Sequence, residues 1–350
     1  MKIKSFFSVI AASLLGISLL SGCAGQTQNE VQTVKGSDGK ELRVLRVANM
    51  TGQPDQYADF IGTEQGIFEK YGISLVTTEF VAGIKTVDSI VTGTADTGLL
   101  ADFAAVNRFG NTLANNNLVI FSDLSSGSSH NNGGIYVAAK YANDLSALDG
   151  SEGWLTQTGT VSEYFNWQAQ TYLGLDPDKQ KSVQFDSIST ALALAHNNNA
   201  SAVVANGAQA AKYEAEGWVK VADSKDVGIN IAAYLITTKD FAGKNTELLS
   251  DYLKALNESV EYINNNLDES AEKISARFGV DKEIFKQDWV QYKIKFGLSE
   301  ESAAHLDEVN AWAFEHKKFP ESYNVRQFYF TGAAEKSFPE NVTVNLAGVN

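Results

Sequence analysis

The apolar positions of this chain recur at two spacings, and the switches between them mark its elements. Leu42 to Ala48 alternates apolar with polar and reads as a first strand; Asn49 to Asp55 is a polar loop at its carboxyl end. Tyr57, Phe60, Ile61, Ile67, Phe68 and Tyr71 fall near helical spacing and predict one helix, followed by a strand from Ser74 to Phe80. From Phe80-Val81-Ala82-Gly83 to Asp102-Phe103 the chain runs strand, turn, helix, strand, helix. Val87, Ile90 and Val91 form an i, i+3, i+4 stripe, and Gly93 stops that helix. Asp96 to Ala101 is a short buried strand. Asp102 stands at the N-cap of the next helix, Phe103 to Phe109, which Gly110 closes.

Beyond it, Leu118 to Phe121 is a strand and Ser122 to Gly134 a loop, in which Ser128, Ser129 and His130 read as solvated. Ile135 to Ala139 and Ile231 to Thr237 are two similar strands, far apart in the chain. Between them Trp154 to Gln157 is a strand, and Thr158-Gly159-Thr160 turns into a helix bearing Val161, Phe165, Tyr172 and Leu173. A helix from Ser187 to His196 follows, then a strand from Ala200 to Ala205, from which Asn206-Gly207 turns into another helix. The last third is helical: Leu248 to Asn264, Glu269 to Phe278, Lys282 to Tyr292 and Ser299 to His316. Strands alternating with helices predict an α/β fold. A strand that runs into a helix N-terminus leaves unpaired N–H groups at the carboxyl edge of the sheet, where open α/β sheets bind ligands.

The N-terminus has a different character. Lys2 and Lys4 precede an apolar run, Phe6 to Leu20, too short to span a bilayer. Leu19-Leu20-Ser21-Gly22-Cys23 resembles a bacterial lipobox, which implies a signal peptide over 1–22 and a lipid on Cys23. Cys23 is the only cysteine, which excludes disulfides, a Cys nucleophile and a zinc–thiolate site. Residues 23–41 are polar and predict a flexible tether. Losing Lys2 and Lys4 moves the net charge from −14 to −16. A body that acidic does not hold nucleic acid and does not lie on an anionic bilayer, so its membrane contact is through the anchor alone.

Several phrases in order carry a resemblance: Gly66-Ile67-Phe68-Glu69-Lys70-Tyr71-Gly72-Ile73; Gly93-Thr94-Ala95-Asp96 with Thr97-Gly98-Leu99-Leu100-Ala101-Asp102; Asn143 to Gly150; and Phe319-Pro320-Glu321-Ser322-Tyr323. Over about residues 44–330 the chain resembles the substrate-binding proteins of ABC importers for aliphatic sulfonates, taurine and nitrate, a superfamily that includes thiamine-pyrimidine binders. The resemblance implies a two-lobed periplasmic binding protein fold (type II-like) with the ligand cleft between the lobes and the two similar strands as crossover hinge. Lobe one is then 42–138 with 230–350, and lobe two 139–229. It implies a monomeric extracytoplasmic lipoprotein, on the cell surface or the periplasmic side, that needs no cofactor or metal and hands a small solute to permease subunits. The solute is of the sulfonate, taurine or nitrate type; a neutral or zwitterionic pyrimidine-like molecule is the alternative. Fungal pyrimidine synthases are enzymes of the same fold, but their Cys-rich iron motif is beyond a chain with one cysteine; the other rival is a structural surface lipoprotein or adhesin, which absence of ligand-induced closure would favour.

The resemblance also names a ligand wall. After strand one it comprises Asn49, Thr51, Gln53 and Asp55, and at the next strand–helix junction Asp102, which serves as an N-cap or a ligand contact. In lobe two it comprises Gly159, Thr160 and Ser162, whose hydroxyl and N–H groups hold the anion in related proteins, and Asn206. Glu163 departs from the pattern. Thr160-x-x-Glu163 is a capping box, and its carboxylate repels a sulfonate. A cationic or neutral ligand group beside Glu163 follows. Arg43, Arg46, Arg108, Arg277 and Arg326 are poorly placed to clamp an anion. Trp154, Trp218, Trp289 and Trp312 read as core, while Trp167 is within reach of the cleft. His130, His196, His305 and His316 lack metal-site spacing.

Overall fold

The computed structural model describes residues 31–80, 83–125 and 133–349. The signal peptide, Cys23, and the Ser128–His130 stretch lie outside the described residues. From Val31 onward the chain forms one compact unit built on two sheets.

The first sheet opens with β1 (Thr33–Lys35) and β2 (Glu41–Met50), an antiparallel hairpin that pairs Thr33 with Arg43. The tether expected over 23–41 is therefore ordered from residue 33. β1 is exposed along its length, so it carries no apolar signal; backbone pairing holds it. After β2 come α1 (Pro54–Glu64), α2 (Ile67–Lys70) and β3 (Ile73–Phe80). The single helix expected here is split at Gly66, whose φ of 69° only glycine adopts without strain. α3 (Gly83–Val91), β4 (Thr97–Ala101), α4 (Asp102–Thr112) and β5 (Leu118–Ser125) follow. β3 runs parallel to β2, and β4 lies parallel along β2's other edge. Gly110 does not close α4. It lies inside the helix against the Phe319 ring, so its role is close packing.

The chain then enters the second sheet: β6 (Gly133–Val137), β7 (Trp154–Thr156), α5 (Val161–Tyr172), β8 (Ser182–Gln184), α6 (Ile188–His196), β9 (Ala202–Asn206), α7 (Gly207–Ala215), β10 (Val219–Asp223) and α8 (Ser224–Val227). Its order is β10-β6-β9-β7-β8. β11 (Ala233–Thr238) returns to the first sheet, antiparallel between β4 and β5. Each expected crossover strand thus belongs to one sheet: β6 pairs only with β9 and β10, β11 only with β4 and β5. β6, from residue 133 on, is part of the second sheet, and the chain passes back to the first over residues 228–232.

α9 (Lys239–Lys244), α10 (Thr246–Asn265), α11 (Leu267–Phe278), α12 (Lys282–Trp289), β12 (Ile294–Gly297), α13 (Glu300–Glu315) and α14 (Gly332–Ser337) complete lobe one. One face of its sheet packs α1, α10, α11 and α12, and the other packs α3, α4 and α13. Trp154, Trp218, Trp289 and Trp312 are buried, as their apolar settings predict. Among the described residues no helix is long and apolar enough to cross a membrane.

Candidate functional site

The carboxyl end of β2 is where this fold concentrates unsatisfied polarity. The expected loop is short. Asn49 is still in the strand, Pro54 starts α1 with its fixed φ, and Asp55 lies in the helix's first turn. Thr51 is exposed; its N–H donates to the Phe80 carbonyl at 2.8 Å. Gln53 occupies the N-cap position without a side-chain cap. Asn49, Asp55 and Gln56 are buried, and Asn49 Oδ1, both Asp55 carboxylate oxygens and Gln56 Nε2 have no hydrogen-bond partner. Burial pushes the Asp55 carboxyl up to about 7. One turn on, Asp59 is also held well above the usual range, by burial first and then by Asp55; the Tyr252 hydroxyl donates to it at 3.2 Å. Behind this wall a cavity of about 100 Å³ is lined by Asn49, Gln56, Asp59, Phe60 and Phe278, with the Arg277–Glu79 ion pair among its lining.

Lobe two presents its polar groups differently. Thr160 caps α5, accepting from the Ser162 N–H at 3.3 Å and donating to the Gln157 carbonyl at 2.8 Å. Ser162 Oγ accepts from the Gln157 N–H and donates to the same carbonyl. Both hydroxyls are spent within their own turn. The side-chain half of the expected capping box is absent. The Glu163 carboxylate reaches Lys318 of lobe one at 3.4 Å, so its charge is matched across the lobes. Around that pair Tyr164 and Trp167 of α5 pack on Trp312 of α13, and Trp167 also meets His316. Gly159 comes up to Asn107 of α4. The anion turn of the sequence reading is thus a seam that joins the lobes, and Trp167 is part of it. Asn206 Oδ1 accepts from Ser224 Oγ at 3.2 Å. On the far side Asp288 of α12 meets the N-terminus of α7: a Cβ on Gly207 would stand 2.7 Å from its Oδ2.

Asp102 is fully buried at the start of α4, in the N1 position rather than the N-cap. Its oxygens accept from the Phe103 N–H at 2.6 Å and the Ala232 N–H at 2.9 Å, and His305 Nε2 lies 2.8 Å away. Burial lowers the His305 pKa, but the Asp102 hydrogen bond and charge outweigh it, and the ring is raised. Asp102 therefore ties α4 to α13 and to the passage between the lobes. His305, Lys318 and Asp288 were not among the residues singled out, because nothing local marks them; each acquires its role from a partner more than 80 residues away. Each arginine is paired with a carboxylate: Arg43 with Asp251, Arg46 with Asp96, Arg277 with Glu79, Arg326 with Glu300 and Asp307, and Arg108, at 4.0 Å, with Asp88.

No family model and no curated protein sequence matches the chain. Solved structures do. The periplasmic aliphatic sulphonate binding protein SsuA from Escherichia coli superposes with a TM-score of 0.68 at 16% identity, covering 81% of this chain and 96% of its own. The periplasmic nitrate-binding protein NrtA from Synechocystis PCC 6803 does so at 0.66 and 13% identity, over 85% of this chain and 89% of its own. The desulfurization enzyme DSZB does so at 0.60 and 15% identity, over 85% of this chain and 99% of its own. At these identities the likeness is one of fold, and the fold this chain has is that of the periplasmic binding proteins.

Proposed function

We propose that the chain is the extracytoplasmic solute-binding lipoprotein of an ABC importer. The observation that carries this is the set of buried polar atoms without a partner, Asn49 Oδ1, both Asp55 oxygens and Gln56 Nε2, at the carboxyl edge of the first sheet. A protein tolerates such groups where a ligand completes them. In this reading the solute is small, of the sulfonate, taurine or nitrate class or a zwitterionic or pyrimidine-like relative. It binds between the two sheets, and the permease receives it from the closed form. The seam of Glu163, Tyr164 and Trp167 on Lys318 and Trp312 supports a closed form held by side chains from both lobes. The segment 1–22 is a signal peptide, and lipidated Cys23 anchors a monomer to the outer face of the membrane. The fold also carries a desulfurization enzyme.

A thermal-shift screen over alkanesulfonates, taurine, nitrate and pyrimidines tests the reading. A ligand at 100 times its Kd adds about 2.7 kcal/mol and raises the melting temperature. Small-angle scattering of the liganded protein then shows a smaller radius of gyration. If no member of the screen shifts the transition, the reading fails. Separately, Cys23→Ala leaves an unprocessed precursor outside the lipoprotein fraction; normal processing of that variant refutes the anchor.

A further inference from the structure

The groups left unpartnered at the β2–α1 junction are unequal in kind. Three are acceptors, Asn49 Oδ1 and both oxygens of Asp55; one is a donor, Gln56 Nε2. Asp55 is 1% exposed. A buried carboxylate with no partner is costly, and proteins keep one where something else completes it. A second carboxylate, Asp288, stands at the N-terminus of α7, where lobe two comes down on lobe one. Burial drives the Tyr292 phenol up, and the charges of Asp288 and Asp55 add to it. Meanwhile the groups that hold an anion are engaged elsewhere. Thr160 and Ser162 bond within their own turn, Lys318 faces Glu163, and Arg46 and Arg277 are bound to Asp96 and Glu79.

We propose that the β2–α1 junction receives a protonated amine, with Asp55 as its counter-ion. The inference rests on the solute-binding reading above and narrows it: the solute carries an ammonium group, as aminosulfonates and other zwitterions do. An ammonium brings three donors and one positive charge, the complement of three unpartnered acceptors and an unpaired carboxylate. The cationic group expected beside Glu163 is thereby moved to Asp55, since Lys318 already meets Glu163.

Isothermal titration with matched probes tests this: taurine against ethanesulfonate, and 3-aminopropanoate against propanoate, with nitrate alongside. At pH 8 the amine-bearing member of a pair binds the wild type roughly tenfold tighter or more. Asp55→Asn removes most of that preference. In the wild type the preference also shrinks as pH falls from 8 to 5.5, because Asp55 takes up a proton while the amine keeps its own. The titratable groups facing Asp55 are Asp59 on its own helix, Tyr252 of α10, Tyr57, and Asp288 and Tyr292 on and after α12. The pH series needs no variant, so it stands even if Asp55→Asn folds poorly. Equal binding of ethanesulfonate or nitrate and taurine, or a preference untouched by both pH and Asp55→Asn, overturns the amine proposal and leaves solute binding standing. Binding of none of these probes overturns both.

Discussion

Replacing Asp55 by Asn should make the unliganded protein more stable above neutral pH, and the size of the gain follows from where the carboxylate sits. Its pKa is about 7 in the folded chain against 3.8 for an unburied aspartate. The folded state therefore keeps a proton that the unfolded state releases. The stability this group contributes is complete below pH 3.8 and is lost as pH rises through about 7. At about 1.4 kcal/mol for each pH unit, the ionised Asp55 costs roughly 4 kcal/mol at pH 8. Two smaller terms oppose the substitution. A negative charge in the first turn of α1 favours the helix dipole by about 0.3–1 kcal/mol. An unpartnered buried Asn amide costs about 1–3 kcal/mol, much as the protonated carboxyl already does. The net expectation is that Asp55→Asn is more stable than wild type by about 2–4 kcal/mol at pH 8 and close to it at pH 4.5. Urea unfolding at several pH values measures both numbers directly. Asp59 is held up partly by the Asp55 charge, so the difference between the curves reports Asp55 together with its coupling to Asp59. Equal stability at pH 8, or parallel pH dependences, would refute the claim that Asp55 is an unpaired buried acid.

Gly110→Ala drives a methyl into the Phe319 ring and should cost about 1–3 kcal/mol in urea unfolding; an unchanged midpoint would mean the 319 segment gives way freely. Asp102→Asn removes the acceptor shared by His305 and the Ala232 N–H and should cost about 2–4 kcal/mol. The His305–Asp102 pair adds stability below the unfolded histidine pKa and loses it as pH rises through the raised folded value. The wild type should thus lose this contribution above neutral pH and the variant should not, which calorimetry across pH 5.5 to 8.5 can check. Glu163→Gln and Lys318→Met should each change stability by under about 1 kcal/mol. In a double-mutant cycle on ligand affinity they should behave as one unit; independent effects would show that Glu163 touches the ligand itself.

What could be read from the sequence was what is decided within a few residues. The stripe Leu249, Tyr252, Leu253, Leu256, Val260 and Ile263 gives α10 almost to its ends, and the helix expected from Ser187 starts one residue later, with Ser187 as its cap. Where the reading failed, a distant partner had changed the meaning of a local signal. Ser122, Asp123 and Ser125 look like a loop after an apolar run. They are the buried end of β5, because Ser122 bonds Gly297 and Asp123 accepts from Ser299 at the head of α13. Gly110 has the look of a helix stop until Phe319 is laid on it. Thr160-x-x-Glu163 matches a capping box, but the Thr160 hydroxyl caps the Ser162 N–H instead of the Glu163 N–H, and Lys318 takes the carboxylate. Asp55 differs from all of these. Its sequence neighbours put it in a polar loop, and the fold buries it with only the helix N-terminus, through the Asp55 and Gln56 backbone N–H groups, to offset its charge. The amine proposal gives that cost its compensation: a bound cation whose charge complements the carboxylate's own.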